Sequence, residues 1–317
     1  MFRFSSRLTP ALALPLVLAC SASTEPAPKS APHTFVARLG DPFTYLDHDG
    51  AAKRALLARI NRERVAAGVP SLEYDLRGAK VGDEFCLDSA TKGYVGHWDL
   101  QGRAPYLRWA LSGGVDFHAQ NVSSESRRGY GYRESIERLL MDAHQRFMTE
   151  QPPDDGHRKT VLDPMFTHVG IGCALVGGEF RMTEEYSSKV ADWVQIPDGA
   201  VAPGGQAPFA MKVRSGWHVG AVDICYEPPA EPLSASEVGR RGFYAYPRTV
   251  RTLRPTLGPN LLYSDNFRGD FHVSVGGRME LAVPLDNGPG DYYVMVYVGR
   301  ASATTFVPAV AARIEAR

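Results

Sequence analysis

The sequence predicts an α+β chain in two parts, the first mixing helices with a closing β-hairpin and the second all β. Three patterns carry this. Apolar residues recur at helical spacing as far as Gln151, Gly177-Gly178 joins two apolar runs between Val169 and Thr183, and beyond about Val190 the period falls to two between Gly- and Pro-rich turns. Strand and helix do not alternate regularly in the first part.

The length of 317 residues fits two domains, each able to bury its own core. Lys plus Arg and Asp plus Glu both number 35, so no net field draws the chain to nucleic acid, which is excluded as a partner.

Residues 1–20 read as an address. Arg3 and Arg7 precede an apolar run from Leu8 to Ala19 that is too short to span a bilayer as an ordinary helix, which is the pattern of an export signal. The run ends Val17-Leu18-Ala19-Cys20, which resembles the lipobox of bacterial lipoproteins. That resemblance implies a lipidated Cys20, a membrane contact through an N-terminal lipid anchor, and a place outside the cell or in its envelope. An ordinary cleaved signal with an incidental Cys is the alternative. Residues 21–50, with Ala, Pro, Ser and Thr at their start, read as a linker. Cys86, Cys173 and Cys225 remain in a disulfide-permissive compartment, and are expected buried or bridged, with one bridge and one orphan at most.

The first domain is placed at 51–190. A helix starts near Ala51, with Ala52, Leu56, Ile60 and Ala67 near one face and Gly68 and Pro70 as its stop. A second runs from Leu76 to Lys92 and stops at Gly93, with Ala79, Phe85, Cys86 and Ala90 available for burial. A third spans Glu134 to Gln151, where Ile136, Leu139, Leu140, Ala143, Phe147 and Glu150 share a side before Pro152-Pro153. A carboxylate on an apolar stripe is costly alone, so Glu150 requires a partner. Asp154-Asp155-Gly156 reads as a turn at a helix end.

Leu57-Ala58-Arg59-Ile60-Asn61-Arg62-Glu63-Arg64 with Gly68-Val69-Pro70-Ser71-Leu72 resembles the opening helix of the CAP superfamily, also called the SCP domain (cysteine-rich secretory proteins, antigen 5 and pathogenesis-related 1 proteins). Gly93-Tyr94-Val95-Gly96-His97-Trp98-Asp99-Leu100-Gln101-Gly102 is similar to the bacterial branch's first histidine segment. Phe147-Met148-Thr149-Glu150, Gly156-His157-Arg158-Lys159-Thr160-Val161-Leu162 and Phe166-Thr167-His168-Val169-Gly170-Ile171-Gly172 are similar to its most recognisable stretch. The resemblance covers about 51–185. It implies an α-β-α sandwich and a cleft of two histidines and two acids that holds a divalent metal in some members.

Carried over by position, the metal candidates are His97, His157 and Glu150, with Gln120 and Asn121 in the cleft. The family's Gly-Glu-Asn reads Ala119-Gln120-Asn121 here, and a neutral amide is a poorer ligand and no useful base. Two readings stand: a weak site for a divalent metal such as Zn²⁺, and a hydrogen-bonded cluster that holds loops together. His118 could reach the cleft, although a lone loop His is more often solvated, and His144 and His168 carry no assigned role.

The second domain is placed at 191–317. Val222, Ile224 and Tyr226 alternate with other residues, as do Phe271, Val273 and Val275, and Met279, Leu281 and Val283, with Gly276-Gly277 as a hairpin between the last two sets. Gly290-Asp291-Tyr292-Tyr293-Val294 resembles the tyrosine corner of immunoglobulin-like sandwiches. Arg240, Arg241, Arg248, Arg251 and Arg254 form a basic stretch without acids between Glu237 and Asp265, read as a solvated face rather than an anion patch.

The expected function is extracellular binding: the cleft takes a divalent metal or a small, partly apolar ligand, the resemblance to the family implies a sterol or other lipid, and the sandwich acts as spacer or adhesion module. The alternatives are a metal-assisted hydrolase with Glu150 as base, which the amide at Gln120 disfavours, and a structural protein of the envelope.

Overall fold

The computed structural model describes residues 50–126, 135–300 and 305–317, all of which lie in one unit, Val36–Arg317. The segment read as an export signal, Cys20 and nearly all of 21–50, read as a linker, fall outside the described residues.

Helix α1 (Ala51–Ala66) buries Lys53, Leu56, Ile60 and Arg64, so its inner stripe holds two cations and excludes Ala67, which is exposed. Both cations are satisfied. Lys53 Nζ lies 2.6 Å from each Asp83 oxygen, while the Arg64 guanidinium donates to the carbonyls of Pro70, Val161 and Phe166. After the short strand β1 (Glu73–Tyr74) comes α2 (Leu76–Lys92), capped by the Asp75 carboxylate accepting from Arg77 N and stopped by Gly93 at φ 72°.

The remaining elements of this half are α3 (Pro105–Leu111), β2 (Phe117–Ser126), α4 (Ile136–Met148), α5 (Gly156–Leu162), β3 (His168–Val176) and β4 (Glu179–Ser188). The sheet order is β1-β3-β4-β2, with β1 parallel to β3 and the other pairs antiparallel. Along β3 the period of two sorts the faces. Val169, Ile171, Cys173 and Leu175 join the core with Leu56, Ile60, Leu139 and Leu140. Gly170 and Gly172 face α2, where a Cβ would stand 2.2 Å from Ala79 N and from Gly82 C. Only glycine lets helix and strand meet backbone to backbone there. The result is helix layers on both faces of one sheet.

Helix α4 is shorter than the sequence pattern suggests. It ends at Met148, so Glu150 leaves the apolar stripe and turns toward α5 instead.

The second half contains β5 (Ala191–Gln195), β6 (Gln206–Val213), β7 (Trp217–Glu227), α6 (Ala235–Arg240), β8 (Thr249–Leu253), β9 (Arg278–Pro284), β10 (Gly290–Arg300) and β11 (Val307–Ala316). Two antiparallel sheets, β11-β10-β7-β8 and β5-β6-β9, enclose a core of Phe209, Met211, Val222, Ile224, Val283, Val294, Val296 and Val310. Tyr292 forms the corner: its hydroxyl accepts from Asn287 N at 2.7 Å and donates to Gly288 O at 3.0 Å. Phe271, Val273 and Val275 do not form a strand. Two isolated bridges hold that stretch, and Val275 is fully exposed among the described residues.

The two halves share a seam. Ala104, Tyr106 and Leu107 pack on Cys225, Tyr293 and Met295, and the Tyr106 and Tyr293 hydroxyls donate to the two Glu227 oxygens at 2.8 and 2.9 Å. Burial there raises the Glu227 carboxyl's pKa. Cys86, Cys173 and Cys225 are buried thiols, so no disulfide joins them. In the basic stretch, Arg251 pairs with Asp286 and Arg254 with Asp265, as a solvated face requires.

Candidate functional site

His97 sits in the loop between α2 and α3. The Asp99 carboxylate builds that loop by accepting from Gln101 N, Arg103 N and Arg103 Nε at 2.7–3.0 Å. His157 is the second residue of α5. The chain folds so that the two rings meet, with centroids 6.5 Å apart and planes 28° from parallel. The two sequence-distant histidines therefore converge.

Each ring has a fixed partner at Nδ1. His157 Nδ1 is 2.5 Å from Glu150 Oε1, and the other Glu150 oxygen accepts from His157 N at 3.0 Å and Arg158 N at 3.3 Å. This is the partner that Glu150 required, and it also explains the early end of α4. Phe147 stacks on the far side of His157 at 4.6 Å. Asn121 Nδ2 donates to His157 O at 3.1 Å and to Glu184 Oε2 at 3.2 Å, tying α5 to the sheet.

His97 Nδ1 lies 3.0 Å from Gln120 Oε1, while Gln120 Nε2 donates to Glu185 Oε1 at 2.8 Å. The chain of contacts sets the ring's tautomer. A carboxylate only accepts, so the amide must turn its NH₂ to Glu185 and its oxygen to His97, and His97 must then carry its proton on Nδ1. The Nε2 lone pair is left over. Burial dominates the titration of His97 and, with the neighbouring His157 and Arg108, lowers its pKa to about 4 against the opposing pull of Gln120 and Glu185. His97 is neutral at physiological pH.

Several contributors escape sequence reasoning. Glu185 is fully buried; burial acts upward on its pKa, but His118, Arg108 and Gln120 together hold it below the usual carboxylate range. His118 is not solvated. It is buried, stacks on Trp109 at 4.9 Å and places Nε2 2.9 Å from Glu185 Oε2. His144, without an assigned role above, is clamped between Glu184 Oε1 and Glu63 Oε2, each at 2.6 Å. Burial opposes its charge, yet the Glu184 and Glu63 carboxylates win and lift its pKa to about 9. The only sequence signal for these pairings is that Glu184-Glu185 sits mid-strand, where a charge needs a partner.

The nitrogens left without a hydrogen bond among the described residues are His97 Nε2 and His157 Nε2, the two that could meet a metal or a ligand. Glu150 holds His157 through Nδ1 and the backbone amides of His157 and Arg158, and Gln120 meets His97 at Nδ1 in the same way. Among the described residues, no group of three His, Cys, Asp or Glu side chains converges as a ligand set. Two imidazole nitrogens by themselves fall short of the three or four protein ligands of an ordinary zinc site, so any metal here would need further ligands from water or a bound molecule.

Residues 57–186 match the family CAP, described as the cysteine-rich secretory protein family. No curated protein matches the chain. Seven solved chains do. An extracellular protein containing an SCP domain from Bacillus anthracis shares 19% identity at a TM-score of 0.34, over 44% of this chain and 40% of that one. An outer surface protein from Borrelia burgdorferi shares 14% identity at a TM-score of 0.38, over 47% of this chain and 98% of that one.

Proposed function

We propose that this CAP-domain protein is an exported binding protein whose His97–His157 cleft holds a small ligand or a divalent metal. The observation that carries this reading is the matched pair of Nδ1 partners. Gln120 and Glu150 orient the two rings, and each Nε2 has no hydrogen bond among the described residues. A site that only held loops together would use both nitrogens, as His144 does.

A metal such as Zn²⁺ would be held by the Nε2 atoms of His97 and His157, where it would supply a Lewis acid with open positions. The residues themselves orient and exclude water: His97 is largely buried, and the Asn121 amide fixes the α5 end. The family's secretory description and the segment Met1–Ala19 support an extracellular or envelope location, with Cys20 as lipid anchor and the sandwich as spacer or adhesion module. The hydrolase reading is weaker, because Glu150 as general base would have to release His157 and the α5 amides first.

Titration of the full chain with Zn²⁺ by calorimetry, beside the His97→Ala/His157→Ala double variant, tests the metal version. Uptake at micromolar Zn²⁺ that the double variant loses is expected. An intact protein that takes up none leaves the cleft to a non-metal ligand, and a double variant that binds as well as the parent places the metal elsewhere.

A further inference from the structure

The segment between β7 and β8 belongs by chain order to the second half but docks on the first. Leu233 N donates to Leu100 O at 2.9 Å, and Val238 is fully buried beside Phe85 and Tyr94. Gly96 permits this approach, since a Cβ there would stand 3.1 Å from Val238 Cγ1 and its carbonyl oxygen. Arg241 lies over the Trp98 ring at 4.5 Å. The segment then reaches β2, the edge strand of the first sheet.

An edge strand presents unpaired backbone groups, and here two tyrosine hydroxyls take them. Tyr246 Oη accepts from His118 N at 3.1 Å and donates to His118 O at 3.3 Å, using both of its roles. Tyr244 Oη accepts from Gln120 N at 2.6 Å, and its own proton has no acceptor among the described residues. The Tyr244 ring stands 4.9 Å from the His97 ring. The second half thus sets beside the His97 ring a tyrosine whose O–H proton, like the His97 Nε2 lone pair, has no partner among the described residues.

We propose that Tyr244 completes the His97–His157 site and that the site recognises a hydroxyl group of a neutral ligand, accepted from Tyr244 and donated to an imidazole Nε2. This rests on the reading that the cleft takes a small ligand, and it names the chemistry. A carboxylate has no proton for the imidazoles, and a cation has no lone pair for the phenol. A hydroxyl has both. Gln120 leaves the cleft without the acid that would favour a cation, and the Glu185 charge is engaged by Gln120 and His118. The Tyr244 ring adds a flat wall suited to the C–H face of a sugar, while a simple aliphatic alcohol shares the hydroxyl chemistry.

The test uses the full chain with methyl β-glucoside and cyclohexanol as separate probes to 100 mM, read by long-range ¹H–¹⁵N spectra of the histidine rings. At least one probe should shift His97 Nε2 while Nδ1 remains protonated; the glucoside alone identifies a sugar and cyclohexanol alone an apolar alcohol. Tyr244→Phe should weaken that probe about tenfold, the value of one hydrogen bond. Tyr246→Phe, which alters the same segment away from the cleft, should bind as the parent does. Rings unmoved by both probes, or Tyr244→Phe binding undiminished, overturns the proposal. A Zn²⁺ titration in the same spectra separates the two failures: if Zn²⁺ moves both rings and hydroxyls move neither, the cleft reading stands and the role of Tyr244 falls; if nothing moves them, both fall.

Discussion

His144 and His97 are buried imidazoles in the same domain, and their surroundings drive them in opposite directions. His144 lies between two carboxylates, Glu63 and Glu184, which carry its pKa to about 9 despite burial. His97 meets an amide, so burial prevails and its pKa falls to about 4. The difference shows that burial alone does not decide an imidazole's charge; the formal charge of its nearest partner does. One ring becomes a cationic clamp, and the other stays neutral with a lone pair on Nε2.

The sharpest break in this comparison is His144→Ala. It strands two carboxylates, and loss of about 3–5 kcal/mol in urea unfolding is expected, as for other broken buried pairs. A loss below about 1 kcal/mol would show that water or relaxation replaces the clamp.

The pH dependence comes next in size. Because the folded pKa of His144 lies above its unfolded value, its contribution is complete below about pH 6.5 and is lost as pH rises through about 9. A shift from 6.5 to about 9 corresponds to roughly 3 kcal/mol. The groups facing the ring are Glu63 and Arg59 from α1 and Glu184 and Tyr186 from β4. Stability measured between pH 6 and 9.5 should fall in the parent and stay flatter in His144→Gln.

Gln120→Glu converts one environment toward the other. A carboxylate at His97 Nδ1 should raise the His97 pKa by about one unit or more, about 1.4 kcal/mol per unit, and should strengthen Zn²⁺ uptake. NMR titration of His97 measures it, and an unmoved pKa would mean that the negative charge of Glu185 keeps the new acid in its protonated form. The smallest effect sets the baseline away from both rings. Tyr292→Phe removes the corner's hydroxyl and should cost about 1 kcal/mol without altering either histidine.

The limits of reading this chain from sequence follow the same logic. The bounds of helix α2 were legible because its stop, Gly93, is local, as is the Asp75 cap that the structure adds. The β3–β4 hairpin and the tyrosine corner were legible for the same reason. The end of α4 was not, because Glu150 answers to His157 and the α5 backbone rather than to its own stripe. His118 and His144 were misjudged or passed over because their carboxylates lie far along the chain; His144 and Glu63 are 81 positions apart.

The sequence by itself determined the two-part architecture and the helical and strand periods, since these follow from local spacing and residue chemistry, and the resemblance to the family singled out His97, Gln120 and His157. Tertiary structure alone decided which imidazole is charged, that Glu150 partners His157, and that the Tyr244 hydroxyl, 124 positions from Gln120, meets the Gln120 amide from the second half. Partner charge and burial are properties of packed surroundings, and no local pattern encodes contacts made across such separations.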